Sequence, residues 1–176
     1  MPCKPIEDYG VIGDLHTVAL VGTDGSIDWC CMPQFDSPSV FAAILDDEKG
    51  GYFKITAISP ERSKQLYLPD TNVLLTRFYC ADGIAEVIDF MPIESRSLRY
   101  VPPNYHQIIR RVSTVAGHLR FRLECFPALN YAREKHEIHS FPQGAVFAGS
   151  SASVGLASPV PLAIEANGVV AEFSLP

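Results

Sequence analysis

Asp-Gly occurs twice in this chain, at Asp24-Gly25 and Asp82-Gly83, each time between two short runs rich in apolar and β-branched residues. No short signal constrains a fold more, because a tight turn needing positive φ accepts Gly readily and joins antiparallel neighbours. Thr17 to Gly22 is therefore turned back through residues 23–26 into Ile27 to Cys31. Asn72 to Cys80 is turned back into Ile84 to Phe90. Period-two alternation puts Ile84, Glu86, Ile88 and Phe90 on one face of the last run, and Ala85, Val87 and Asp89 on the other. His106 to Ala116 and Leu119 to Phe126 read as a third pair turning at Gly117-His118. In the latter, Leu119, Phe121, Leu123 and Cys125 share the core side.

Tyr52 to Ile58 and Ser63 to Leu68 add further strands, and beyond Pro127 the runs shorten: Glu137 to Phe141, Ala145 to Ala148, Val154 to Ala157, Leu162 to Ala166 and Val169 to Leu175. About a dozen short strands with turn signals every 8 to 12 residues or so, and no βαβ alternation, predict an all-β fold. Its expected form is a two-sheet antiparallel β-sandwich in a single domain over residues 1–176. The most closely specified stretch is Asp24 to Leu45. It holds the only tryptophan, Trp29, the adjacent Cys30 and Cys31, and the proline-bounded loop Pro33 to Pro38. One short helix is expected near residues 38–46, with Val40 to Leu45 as its apolar part, Ser37 or Ser39 as cap and Pro38 in the first turn.

Composition excludes several functions. The net charge of −6 disfavours nucleic acid as a partner, since that binding runs on basic surface. No apolar run approaches the roughly 20 residues of a membrane span. The first ten residues lack the apolar centre of a secretory leader. Five cysteines, odd in number and without a CxxC pair, indicate neither a disulfide framework nor a zinc site. They read as reduced, buried thiols of a cytoplasmic protein. No cofactor is called for.

Individual residues carry weaker chemistry. Asp28, Asp36, Glu86 and Asp89 are the candidate carboxylates for general acid and base work, yet nothing in their spacing singles out a pair. Short Asp side chains readily bond loop amides instead. Trp29, Phe35 and Phe41 are candidates for a sugar-stacking platform or for packing under the helix. Gly13-Asp14-Leu15-His16 has the opening of a metallophosphoesterase site without its later elements. His136 and His139, three apart on a strand, point to opposite faces and hold no metal together. Arg96, Arg99, Arg110 and Arg111 form the one basic cluster, for which ion pairs with the excess acids or a solvated face suffice.

Several segments in order also resemble a known family. Pro5 to Tyr9, Ile12 to Asp14, Gly25 to Trp29, Pro33 to Pro38, Pro69 to Thr76, Asp82 to Pro92, His106 to Arg111 and Pro127 to Arg133 are similar to the N-terminal part of bacterial glycoside hydrolase family 15 proteins, the glucoamylase and trehalase group. The resemblance implies a β-sandwich of the super-sandwich type followed by an (α/α)6 barrel. That barrel carries the acid and base that hydrolyse α-glucosidic bonds with inversion. This chain matches the sandwich alone and is expected to be a fragment lacking the last strand and the barrel. Catalytic residues are then expected to be absent from it. Trp29, Gln34, Phe35 and Asp36 become the candidate barrel-facing or sugar-edge contacts. The barrel is the expected partner, with an α-glucoside at the domain boundary and a homodimer through any face left uncovered. A free-standing carbohydrate-binding or structural module is the alternative. Two positions depart from the family pattern: Gln34 stands where Arg is expected, and Asn130 where Asp is expected.

Overall fold

The computed structural model describes residues 4–93 and 106–176. Arg96 and Arg99 of the expected basic cluster lie outside the described residues. A single 3-10 turn, Ile6–Asp8, leads into fifteen strands: β1 (Tyr9–Gly13), β2 (Val18–Gly22), β3 (Ser26–Cys31), β4 (Ser39–Phe41), β5 (Tyr52–Ala57), β6 (Arg62–Tyr67), β7 (Leu74–Cys80), β8 (Gly83–Phe90), β9 (Ile109–Gly117), β10 (Leu119–Phe126), β11 (His136–Phe141), β12 (Gly144–Gly149), β13 (Ser153–Ala157), β14 (Ala163–Glu165) and β15 (Gly168–Leu175). A short helical turn, α1 (Leu129–Ala132), follows β10.

Every pairing is antiparallel. One large sheet runs β1-β2-β3-β5-β10-β15-β14, with β4 added to β3, and the second runs β6-β7-β8-β9. A smaller third sheet, β11-β12-β13, joins them. The inner faces form one core. Ile27, Phe53, Ile55, Phe121 and Leu123 of the first sheet meet Leu74, Phe78, Ala85 and Val87 of the second, and Ala145 and Phe147 come from the third. Alternation decides which residues these are: Ala85, Val87 and Asp89 are fully buried while their neighbours are not. Leu119, Phe121, Leu123 and Cys125 are buried as a set.

Both Asp-Gly hairpins form, β2 to β3 and β7 to β8. The third expected pair does not. β9 pairs with β8 and β10 with β5 and β15, so at Gly117-His118 the chain leaves one sheet and enters the other. A short Gly turn between two alternating runs marks a change of direction equally well for a hairpin and for a sheet switch.

The helix expected near residues 38–46 is not there. Ser39–Phe41 is a strand on β3, pairing Phe41 with Cys30 and Ser39 with Cys31. Backbone N–H groups that a helix would turn inward go elsewhere, Ala42 to Gly50 O at 2.7 Å and Ala43 to Gly51 O at 3.2 Å. The Val40 carbonyl accepts from Ala128 N at 2.9 Å. Ser39, Val40, Phe41 and Ala42 are all buried. A run covered on both faces loses its period, and a short apolar stretch then reads equally as helix or strand.

The two seams of the sandwich differ. On the β1 side the Tyr67 hydroxyl donates to Val11 O at 2.8 Å and accepts from Val11 N at 2.7 Å. Beside it Gln65 Nε2 donates to Gly22 O at 3.0 Å. On the β9 side a cleft of about 230 Å³ opens between Val112 of β9 and Leu123, Phe173 and Leu175 of the other sheet. β9 is the last strand of its sheet among the described residues.

Candidate functional site

The loop after β3 is anchored at three points. Thr17 Oγ1 donates to Cys31 O at 2.5 Å, which fixes its start. Phe35 N donates to His16 O at 3.0 Å, which fixes its tip. Between them Gln34 and Ser37 close a turn, Gln34 N donating to Ser37 Oγ at 3.0 Å and Ser37 N to Gln34 O at 3.1 Å. Ser37 thus caps this turn and not a helix. Ser39 Oγ accepts from Tyr131 N at 3.0 Å instead. Gln34, Phe35 and Asp36 are exposed on the tip, Phe35 by 58%.

The segment that anchors the tip is itself pinned. Asp14 Oδ1 accepts from His16 N at 3.0 Å and Thr17 N at 2.9 Å, and Asp14 Oδ2 lies 2.5 Å from His106 Nδ1. Burial opposes ionisation of Asp14. The bonds from His106 and from the two amides outweigh it and hold the carboxyl below its usual range. Asp14 and His16 therefore build a turn. Among the described residues no three His, Cys, Asp or Glu side chains are placed to hold a metal ion.

The candidate carboxylates are dispersed, and three are committed to cations. Asp28 accepts from Lys4 Nζ at 2.6 Å and Tyr9 OH at 2.8 Å. Glu86 accepts from Arg77 Nε at 2.8 Å on the exposed side of its sheet. Asp89, fully buried, takes Arg110 Nε at 2.8 Å and Nη2 at 3.1 Å. These are structural pairs, Asp28 on β3 and Glu86 and Asp89 on opposite faces of β8. His136 and His139 find separate partners, Asn167 O at 2.9 Å and Glu137 at 3.8 Å. Phe41 is 4% exposed and its ring lies 6.3 Å from that of Phe53, so it belongs to the core and not to a stacking surface.

Lys4 extends the Asp28 pair into a network with Asp24, which also holds Lys54 Nζ at 2.8 Å. Burial raises the Asp24 pKa. Hydrogen bonds from Lys54 and Lys4 more than reverse that, and hold the carboxyl well below the ordinary carboxylate range. A depressed folded-state pKa means this contribution is present above the unfolded value of about 4 and disappears as pH falls toward the folded one. Asp24→Asn is therefore expected to destabilise the chain at pH 7, with the gap from wild type closing steadily below about pH 4. Urea midpoints measured across that range check it, and a pH-independent gap would contradict it.

Trp29 is half-buried on β3, and its ring lies 6.3 Å from that of Tyr131, inclined by 47°. Tyr131 stands in a left-handed run, with φ of 51° at Asn130, 58° at Tyr131 and 59° at Ala132. This conformation costs an L-residue with a side chain about 1–2 kcal/mol, less for Asn. Asn130 thus suits its backbone despite departing from the family pattern. Burial raises the pKa of the Cys31 thiol on the neighbouring part of β3. Sequence reasoning missed Tyr131, Lys4 and His106. Their contacts reach across 102, 24 and 92 positions of the chain, and no local pattern carries such a contact.

Fold and surface together define an all-β sandwich domain that presents an aromatic-tipped turn and an inclined Trp–Tyr pair. The chain belongs to the trehalase-like N-terminal family, whose model matches residues 2–172. It is similar to a trehalase of Thermoplasma volcanium, 34% identical over 164 residues, which covers 89% of this chain and 25% of that protein. It is similar to a trehalase of Mycolicibacterium smegmatis, 34% identical over 145 residues and covering 75% and 21%. Trehalase 1 of Sulfolobus acidocaldarius is 40% identical over 129 residues, covering 73% and 20%. The chain thus spans a quarter or less of these relatives. No solved structure matches it significantly.

Proposed function

We propose that this sandwich is the non-catalytic N-terminal domain of a family 15, glucoamylase- or trehalase-like glycoside hydrolase, and that it packs against and supports a C-terminal (α/α)6 barrel. The barrel hydrolyses α-glucosidic bonds with inversion. The observation that carries this reading is the length relation: the chain of 176 residues matches trehalases of which it covers a quarter or less. The committed carboxylates support it. Inversion needs two free carboxyl groups roughly 6.5–9.5 Å apart, and Asp28, Glu86 and Asp89 are each held in an ion pair.

Trp29, Gln34, Phe35 and Asp36 form the barrel-facing or sugar-contacting edge. An aromatic side chain 58% exposed on a turn held by the Thr17–Cys31 and Phe35–His16 hydrogen bonds is suited to insert into a second body. A further strand completes the sandwich. The protein works in the cytoplasm. Cys30, Cys31, Cys80 and Cys125 are all free thiols, which fits a reducing compartment.

The test is an assay for glucose release from trehalose, maltose and starch. The purified 176-residue chain should release none. A longer protein carrying this sandwich and a helical barrel should cleave at least one of the three. Turnover by the chain alone would overturn the assignment, as would inactivity of the longer protein on all three.

A further inference from the structure

The left-handed run at Asn130-Tyr131-Ala132 calls for an explanation that packing does not supply. Three consecutive residues other than glycine with φ between 51° and 59° persist only where their surroundings over-determine them. Here they do. Leu129 is buried beneath the turn, Ala128 N donates to Val40 O at 2.9 Å, Tyr131 N to Ser39 Oγ at 3.0 Å, and Glu134 N to Leu129 O at 3.2 Å. The result of all this is one aromatic ring, and that ring is not buried. Tyr131 remains 39% exposed, set beside the half-buried Trp29. Its backbone is held by the bond from Tyr131 N to Ser39 Oγ, which fixes where the ring is presented.

Strained backbone that positions a partly exposed side chain points to a use for that side chain. Two aromatic faces held at an incline match the apolar C–H faces of a pyranose. Rigid rings lose little conformational entropy when they engage such a ligand.

We propose that Trp29 and Tyr131 form a carbohydrate-binding platform on the sandwich, taking a glucopyranose unit of an α-glucoside. The choice of α-glucoside rests on the proposed function above; the platform itself rests on the Tyr131 geometry. Asn130 and Ala132 are positioning residues that hold the ring, and Tyr131 touches the sugar.

Trp29 is the only tryptophan, so intrinsic fluorescence reports this site alone. The experiment titrates the 176-residue chain with trehalose and with maltose while following that emission. A saturable change with millimolar affinity is expected. Tyr131→Gly removes the ring and relieves the left-handed strain, so it should melt at or above the wild-type temperature while its affinity falls at least tenfold. Tyr131→Phe keeps the ring and should bind as wild type. No saturable change in the wild-type chain would overturn the platform. So would a Tyr131→Gly variant that binds as well as wild type, or one that melts lower with affinity unchanged. Sugar binding by this chain with no hydrolysis by the longer protein would overturn the enzyme assignment alone. Hydrolysis by the longer protein with no binding here would overturn the platform alone.

Discussion

Arg110→Met is expected to cost the sandwich about 3–5 kcal/mol of unfolding free energy, the range seen when one partner of a buried ion pair is removed. The Arg110 side chain is 2% exposed and Asp89 is fully buried. Arg110 also donates from Nη1 to Phe53 O at 2.8 Å and from Nη2 to Gly25 O at 2.7 Å. Asp89 and Arg110 sit on β8 and β9, whereas Phe53 and Gly25 belong to the opposite sheet and its hairpin turn. One guanidinium therefore ties the two layers through four acceptors. Methionine would leave the carboxylate charged and alone in an apolar interior. Pairing Arg110→Met with Asp89→Leu should recover much of the loss, since the penalty lies in the orphaned charge. Urea unfolding of both variants checks the pair. A single substitution costing under about 1 kcal/mol would sink this account of the core.

Gly25→Ala is the second large effect, at least about 2 kcal/mol. Gly25 has φ of +82°, and a Cβ there would lie 2.2 Å from the Ile55 carbonyl oxygen. That oxygen is backbone in a central strand and cannot swing aside. The turn must shift, and Gly25 O must move with it, away from Ile55 N and Arg110 Nη2. The two substitutions act on one contact, so Gly25→Ala combined with Arg110→Met should cost less than their sum. Strict additivity in the double mutant would show that the turn and the guanidinium are independent.

That pair of residues also shows how far the sequence could be read. Asp24-Gly25 was legible as a turn, because positive φ and Gly go together. The alternation that buries Asp89 with Ala85 and Val87 was legible too, since period two is a local property. What was not legible is that Asp89 and Arg110 meet. Both stood among the candidates for separate roles, the one as an acid and the other as part of a basic cluster, and only the pairing of β8 with β9 puts them together. The expected helix near residues 38–46 failed for a related reason. Val40, Phe41 and Ala42 are covered on both faces by β3, Gly50-Gly51 and the turn after β10, and such coverage is decided by distant chain. At the candidate site, Gln34, Phe35 and Asp36 fall within one loop and were found. Tyr131 lies 102 positions beyond Trp29 and was not.

The Tyr67 hydroxyl on Val11 has a meaning beyond closing a seam. Among the described residues β1 is the outermost strand of its sheet, and the N–H and C=O groups of an edge strand are a template on which a second chain could add a strand. One phenol, by donating to the carbonyl and accepting from the amide of the same residue, occupies both halves of that template at its midpoint. The chain thus carries a guard against edge-to-edge strand addition here, the Tyr67 hydroxyl on Val11 joined by Asn72 Nδ2, which donates to Gly13 O at 3.3 Å, and it is independent of charge.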